Sequence, residues 1–374
     1  MLELKQKSKF FSANLTYFIL IIGFIVIRLL SSLNALEFLG DYATYILNLV
    51  LQVGLMFLLP LFLYSTMTHE KPKKTMQNFG FRKIKISAIL IAIAIGVIVY
   101  VLNIGVSSFF SFLLSLFGYE KTTSSTMTSY SFGMLIVNLI FTGLLPAFCE
   151  EFTHRGMLVD GYSKLGYKKA IIFSALLFGL THLNIEQFFY ATIIGVLLAF
   201  ITMITGNIFP AMIIHFMNNA INVFIGFALV NFKNFANFYN SIFDAISQNN
   251  FFVVMSALFF IISILLLLLA WLVYKLFKKT TIAELNNLAE KETKKQLRAE
   301  LMDEFPQTVK PDLHSIPFQI FKGNKSINIY ISSQTLRHPV KQIYFPSLRE
   351  KTFFIASLLT AIFVTISTFI WGIL

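Results

Sequence analysis

The sequence predicts an all-α fold: a polytopic membrane protein of about nine transmembrane helices with a small cytoplasmic appendage, either α+β or tether-like. Three observations carry this reading. Hydrophobic residues make up 56% of the chain and charged residues only 13%, where a soluble domain has about a quarter charged. Apolar stretches near the roughly 20 residues that cross a bilayer recur along the chain. When those stretches are counted as spans, the basic residues collect on one side.

The spans fall near Phe11–Leu30, Tyr42–Tyr64, Ser87–Phe117 and Phe132–Ala147, then Ala170–Leu183, Phe188–Ile204, Ile208–Val230, Phe251–Tyr274 and Thr352–Leu374. The third is long and the fifth short. With the N-terminus in the cytoplasm, Lys5, Lys7 and Lys9 lie inside, as do the 66–86 loop, the segment 155–169 and residues 275–351. Only Lys121 and Lys233 fall outside and Arg28 lies within a span, so 27 of the 30 basic residues share one side, as the positive-inside bias demands. A multi-pass protein of the cell membrane is the expected location. The net charge of +12 follows from topology and anionic lipid and gives no case for nucleic acid. Residues 1–35 have some features of a cleavable signal, but their apolar run is long for one, and an uncleaved anchor is expected. The single cysteine, Cys149, excludes an intramolecular disulfide framework.

Along the chain, residues 1–130 read as N-terminal membrane helices, 131–230 as a membrane core, 231–275 as a further span, 276–351 as the cytoplasmic appendage and 352–374 as the last span. In the appendage, Thr280 or Thr281 caps a charged helix to about Glu304, which Pro306 stops. Phe318–Phe321 and Ile327–Ile331, around Gly323-Asn324, suggest a hairpin. The appendage is also where a membrane-protein partner would bind.

Three blocks set polar residues one helical turn apart inside or beside apolar sequence: Glu150-Glu151-Phe152-Thr153-His154-Arg155, Phe178-Gly179-Leu180-Thr181-His182 and His215-Phe216-Met217-Asn218-Asn219. Hydrocarbon solvates such groups poorly, so each needs a partner or a function. On a helix Glu150 shares a face with His154, and Glu151 with Arg155. The second pair reads as structural, which leaves Glu150 without a local counter-charge. Pro146 removes one backbone hydrogen bond and predicts a kink. A constellation of Glu, His, His and Asn suits peptide-bond hydrolysis. A carboxylate assisted by an imidazole takes a proton from water, and a second His with a carboxamide donates to the developing oxyanion.

The ordered set Glu-Glu-x-x-x-Arg, Phe-x-x-x-His and His-x-x-x-Asn resembles the CPBP family of CAAX proteases and bacteriocin-processing enzymes, also called Abi, over about residues 130–225. The resemblance implies a glutamate-type intramembrane endopeptidase acting on a peptide or membrane-protein substrate in the bilayer. By it, Glu150 and His182 activate water, His215 and Asn219 stabilise the oxyanion, and Glu151 and Arg155 support the first helix. It also implies substrates that are prenylated CAAX proteins or, in bacteria, peptides matured for bacteriocin immunity or signalling.

Four alternatives stand beside this one. Glu150, His182 and His215 are chemically able to bind zinc, as the metalloprotease label sometimes given to the family would have it. The zincin His-Glu-x-x-His motif is absent, however, and no metal or other cofactor is the expectation. Cys149 would supply a thiol nucleophile, but it points about 100° away from Glu150. A non-catalytic regulator binding a partner membrane protein would keep the polar cluster for structure. A transporter would show inverted repeats, which are not evident. One geometric demand remains. For a single site, the fourth helix must continue to about Tyr162 with Glu150 near mid-height, and Glu150 must lie within about 10 Å of at least one of the two histidines.

Overall fold

The computed structural model describes residues 2–120, 130–248, 261–279, 315–322, 325–332 and 347–371. Its helices are α1 (Leu2–Ser32), α2 (Ala43–Met67), α3 (Pro72–Asn78), α4 (Ile86–Ser115), α5 (Phe132–Leu165) and α6 (Tyr167–Thr181). They continue with α7 (Ile185–Thr205), α8 (Phe209–Asn231), α9 (Lys233–Gln248), α10 (Ile261–Lys279) and α11 (Leu348–Trp371). Among the described residues, eight of these are long and apolar enough to cross a membrane: α1, α2, α4, α5, α7, α8, α10 and α11. This is a polytopic α-helical membrane protein.

The expected fifth span is α6, a helix of only 15 residues, about 22 Å long and too short to cross unaided. The expected fourth span, Phe132–Ala147, is only the first part of α5. That helix runs for 34 residues, about 51 Å, continues through Tyr162, and holds Glu150 close to its midpoint. The expected eighth span appears as Ile261–Lys279, preceded by the separate helix α9; residues 249–260 are outside the described ones.

Strands β1 (Ser315–Lys322) and β2 (Lys325–Ser332) pair antiparallel with Ile320 opposite Ile327, where alternating apolar residues suggest a hairpin. The expected turn at Gly323-Asn324 and the expected charged helix from Thr280 to Glu304 lie outside the described residues.

Three stretches of π-helix interrupt these spans: Val50–Leu58 in α2, and Leu139–Leu144 and Phe152–Leu158 in α5. The break expected at Pro146 takes this form. Proline offers no N–H to the turn before it, and the backbone there widens to i→i+5 bonding.

Close packing holds the bundle around α5. Gly179 of α6 sits against α7 so tightly that a Cβ there would collide with Thr192 and lie 2.7 Å from the Phe188 carbonyl oxygen. Gly195 of α7 meets Ala175 and Phe178 in the same way, at 3.1 Å. Although the last span lies far along the chain from α1, α11 packs on the same body. Phe353 meets Phe11 and Phe18 with ring centroids 5.5 and 5.7 Å apart, and Thr368 Oγ1 accepts from the Ile185 N–H at 3.0 Å.

One end of α1, α2 and α5 is tied by a polar lock. Asp160 accepts from Lys9 Nζ and Tyr64 O–H, both at 2.8 Å. Glu70 lies 3.7 Å from the same ammonium and accepts from Asn78 Nδ2 at 2.7 Å. Close by on α5, Tyr162 donates to Asn14 Oδ1 at 2.7 Å.

Candidate active site

The site is assembled on α5, midway along its length, where the 145–151 turn ends and the second wide stretch begins. Glu150 and Glu151 are adjacent and face different partners, since neighbouring helical residues point about 100° apart. Glu151 is fully buried and lies between two cationic or potentially cationic groups. Arg155 Nε is 3.1 Å from its Oε2, and His215 Nδ1 is 2.9 Å from its Oε1.

The Arg155 contact is ionic rather than a well-aimed hydrogen bond, because the N–H does not point at the oxygen. Arg155 has no exposure at all. Its guanidinium carbon lies 4.2 Å from the Phe178 ring centroid and one nitrogen lies 3.5 Å from the Gly195 carbonyl, a cation–π seat of the kind that desolvation strengthens. The i,i+4 pair read from sequence is present; its second partner, His215, is not visible in the spacing.

Glu150 faces the other way, into an open cleft of about 540 Å³ lined also by Gln52, Thr181, His182, Arg28 and apolar residues of α1 and α2. Its Oε1 accepts from Gln52 Nε2 at 2.8 Å, and its Oε2 is 3.9 Å from His215 Nε2. This satisfies the distance demand for a single site. A carboxylate accepts, so His215 Nδ1 carries its hydrogen toward Glu151, and Nε2 is the nitrogen turned to Glu150.

His182 follows the last residue of α6. The chain then turns through Leu183, which has φ +49°, an uncommon conformation for a branched residue. Arg28 donates to the Leu183 carbonyl at 2.7 Å, and Asn184 caps α7 by accepting from the N–H groups of Glu186 and Gln187 at 2.8 and 3.2 Å. These bonds hold the turn and set His182 on the cleft wall.

Phe178, one turn before His182, is the hub of the cluster. Its ring centroid lies 5.0 Å from that of His154, 5.3 Å from that of His182 and 5.7 Å from that of His215, all edge-on, the favoured aromatic geometry.

Asn219 lies one turn beyond His215 on α8. Its Oδ1 accepts from Asn218 Nδ2 at 3.2 Å, and Asn218 Oδ1 in turn accepts from Asn103 of α4 at 3.3 Å. Among the described residues no hydrogen bond links Asn219 to either carboxylate. The structure therefore brings Glu150, Glu151, Arg155, His182 and His215 around one centre and leaves Asn219 at its margin.

His154, to which the spacing of the first block assigns no role, is a structural post. It is fully buried, with Nδ1 2.7 Å from the Glu150 carbonyl and Nε2 3.1 Å from Thr181 Oγ1. The carbonyl fixes the hydrogen on Nδ1, so Nε2 accepts from Thr181. Thr181 is 2.8 Å from Tyr17 O–H of α1. This chain fastens α1, α5 and α6 behind the carboxylates. Cys149 is buried in the apolar core.

Residues 132–221 match the family model for type II CAAX prenyl endopeptidase, Rce1-like. The match, over about a quarter of the chain, supports a likeness to the CAAX protease family. No curated protein and no solved structure matches the chain. The Rce1-like segment holds Glu150, Glu151, Arg155, His182, His215 and Asn219, while Gln52, Asn103, Arg28 and Tyr17, which reach the site from other helices, lie outside it. Among the described residues no group of three or more His, Cys, Asp or Glu side chains is placed to hold a metal ion.

Proposed function

We propose that this protein is an intramembrane endopeptidase in which Glu150 activates water for attack on a peptide bond near the membrane surface. The observation that carries the reading is the placement of Glu150. Its carboxylate lies 8% exposed on the wall of a cleft it shares with His182, and 3.9 Å from His215 Nε2, at mid-height of a membrane helix. A buried carboxylate with no cationic partner closer than that is costly as scaffolding and well suited to removing a proton.

In this reading the peptide enters the cleft between α1 and α2. Glu150, assisted by His182, takes a proton from water as its oxygen attacks the scissile carbonyl. His215, held by Glu151 through Nδ1, stabilises the oxyanion from Nε2 when that nitrogen is protonated, with Asn219 contributing from the next turn as substrate seats. Glu150 then passes its proton to the departing amine. Glu151 and Arg155 act behind this centre: Arg155 holds Glu151, and Glu151 orients His215. No step passes through a metal.

The substrate is a membrane-anchored or lipid-proximal peptide, of the CAAX type or a bacterial peptide undergoing maturation. The enzyme sits in the cell membrane with its N-terminus and residues 276–351 in the cytoplasm, as the charge bias supports, an arrangement in which α6 and the turns at its ends complete a ninth crossing.

The test compares new peptide N-termini in cells carrying wild type or Glu150→Gln. Peptides generated only by wild type are expected, and cleavage is expected to persist when chelator is added to the purified enzyme. A cellular phenotype restored equally by both proteins would replace the protease with a partner-binding regulator. Cys149→Ser is expected to keep full activity, since the thiol is packed in the core.

A further inference from the structure

Gln52 is one polar side chain in the apolar run Val50–Leu58 of α2, outside the Rce1-like segment. It is 8% exposed, and its Nε2 donates to Glu150 at 2.8 Å. A carboxylate only accepts, which fixes the amide's orientation: nitrogen toward Glu150, oxygen away. That oxygen, Oε1, is buried and accepts from no group among the described residues. An unmet carbonyl in such a place is destabilising, and a methionine of similar volume would fill the space without that cost. The amide's own size keeps Oε1 within about 5 Å of the carboxylate oxygen it serves, a gap that one water spans with two ordinary hydrogen bonds. Both groups line the same cleft.

We propose that Gln52 positions the attacking water, which, resting on the hydrolytic reading, makes it a further residue of the reaction. One hydrogen of the water points to Glu150 and the other to Gln52 Oε1, so the oxygen lone pair is directed into the cleft. As the C–O bond forms, the first proton moves to Glu150 and the carbonyl π pair moves onto its oxygen. The second hydrogen stays on the new hydroxyl and still bonds to Gln52. Collapse of this intermediate breaks the C–N bond, and the amine leaves with the proton held by Glu150. The Nε2 hydrogen bond acts separately, fixing the carboxylate's rotation so that its free lone pairs face the water.

The experiment uses the full chain in lipid nanodiscs and an internally quenched peptide ending in farnesylated Cys-Val-Ile-Met. Gln52→Met is expected to lower kcat on the order of 10²-fold while KM and the melting temperature stay near wild type, a split that a packing defect does not produce. A density map of the wild-type protein is expected to show a water within hydrogen-bond distance of both Glu150 and Gln52 Oε1. Unchanged kcat in Gln52→Met, or an ordered site with no such water, overturns the proposal. Undiminished cleavage by Glu150→Gln overturns the protease reading instead, and the map judges Gln52 even if wild type leaves this peptide intact.

Discussion

Two polar clusters sit on α5 one above the other, about ten residues apart, and they are built on opposite principles. Around Asp160, Lys9, Tyr64 and Glu70 meet at hydrogen-bond or ion-pair distance, at one end of the bundle with the charged side chains 10–21% exposed. Around Glu150, half a membrane away, the pairing is incomplete. Gln52 Oε1 is unmet, His215 Nε2 stands 3.9 Å off, and two nitrogens of Arg155 lack an acceptor among the described residues. Satisfied polar groups are ordinary architecture. On the proposed function, a cluster kept underpaired in the costlier environment is held for something that binds there. The lesson is that the number of polar residues does not separate a lock from a site; what each one leaves unmet does.

The contrast can be broken at four places, taken from the largest expected effect. Glu150→Gln removes the base and is expected to lower peptide cleavage about 10³-fold or more, with a melting temperature near wild type; a thermal scan beside the cleavage assay checks both. Glu151→Leu leaves the guanidinium of Arg155 buried without its carboxylate and is expected to cost about 3–5 kcal/mol, read as a lower denaturation midpoint. Adding Arg155→Met should recover much of that stability without recovering activity, because His215 has still lost its orienting partner. Gly179→Ala drives a methyl into α7 at Thr192 and Phe188, where overpacking costs about 1–3 kcal/mol, and it should reduce cleavage by displacing Phe178 and His182. The smallest effect on activity belongs to the lock. Asp160→Asn should cost about 1–3 kcal/mol of stability and leave the cleavage rate within twofold, and a large loss of activity there would erase the distinction between the clusters.

Much of the architecture is legible in the chain because it is written at short range. Hydropathy locates most of the spans, and i,i+4 spacing exposes the Glu151–Arg155 pair and puts Phe178 beside His182. Sequence distance within α5 also foretells that the helix must run past Tyr162 if Glu150 is to meet His215. What lies hidden are contacts between helices distant in sequence. Spacing assigns Glu151 to Arg155 alone, whereas it also grips His215 from 64 residues away. Gln52 has Asn48 one turn before it in its own helix, a pair of amides in hydrocarbon, but that spacing points to no partner on α5. Asn219 shows the converse. Its spacing from His215 places it on the same face, yet its partner in the structure is Asn218, since helical periodicity gives direction and not the distance to whatever stands opposite.

The wide turn at Phe152–Leu158 falls between the two clusters. Such a turn is equivalent to one residue inserted into an ordinary α-helix, so the helix beyond it is about 100° out of phase with the helix before. The direction in which Asp160 points is thereby uncoupled from the direction of Glu150 and Glu151. Deleting one residue within this stretch would restore regular turns, and the two halves of α5 could no longer both face their partners: either Asp160 swings from Lys9 or the carboxylates swing from His215. For anyone altering this protein, the length of that short stretch is as much a part of the site as the side chains it carries.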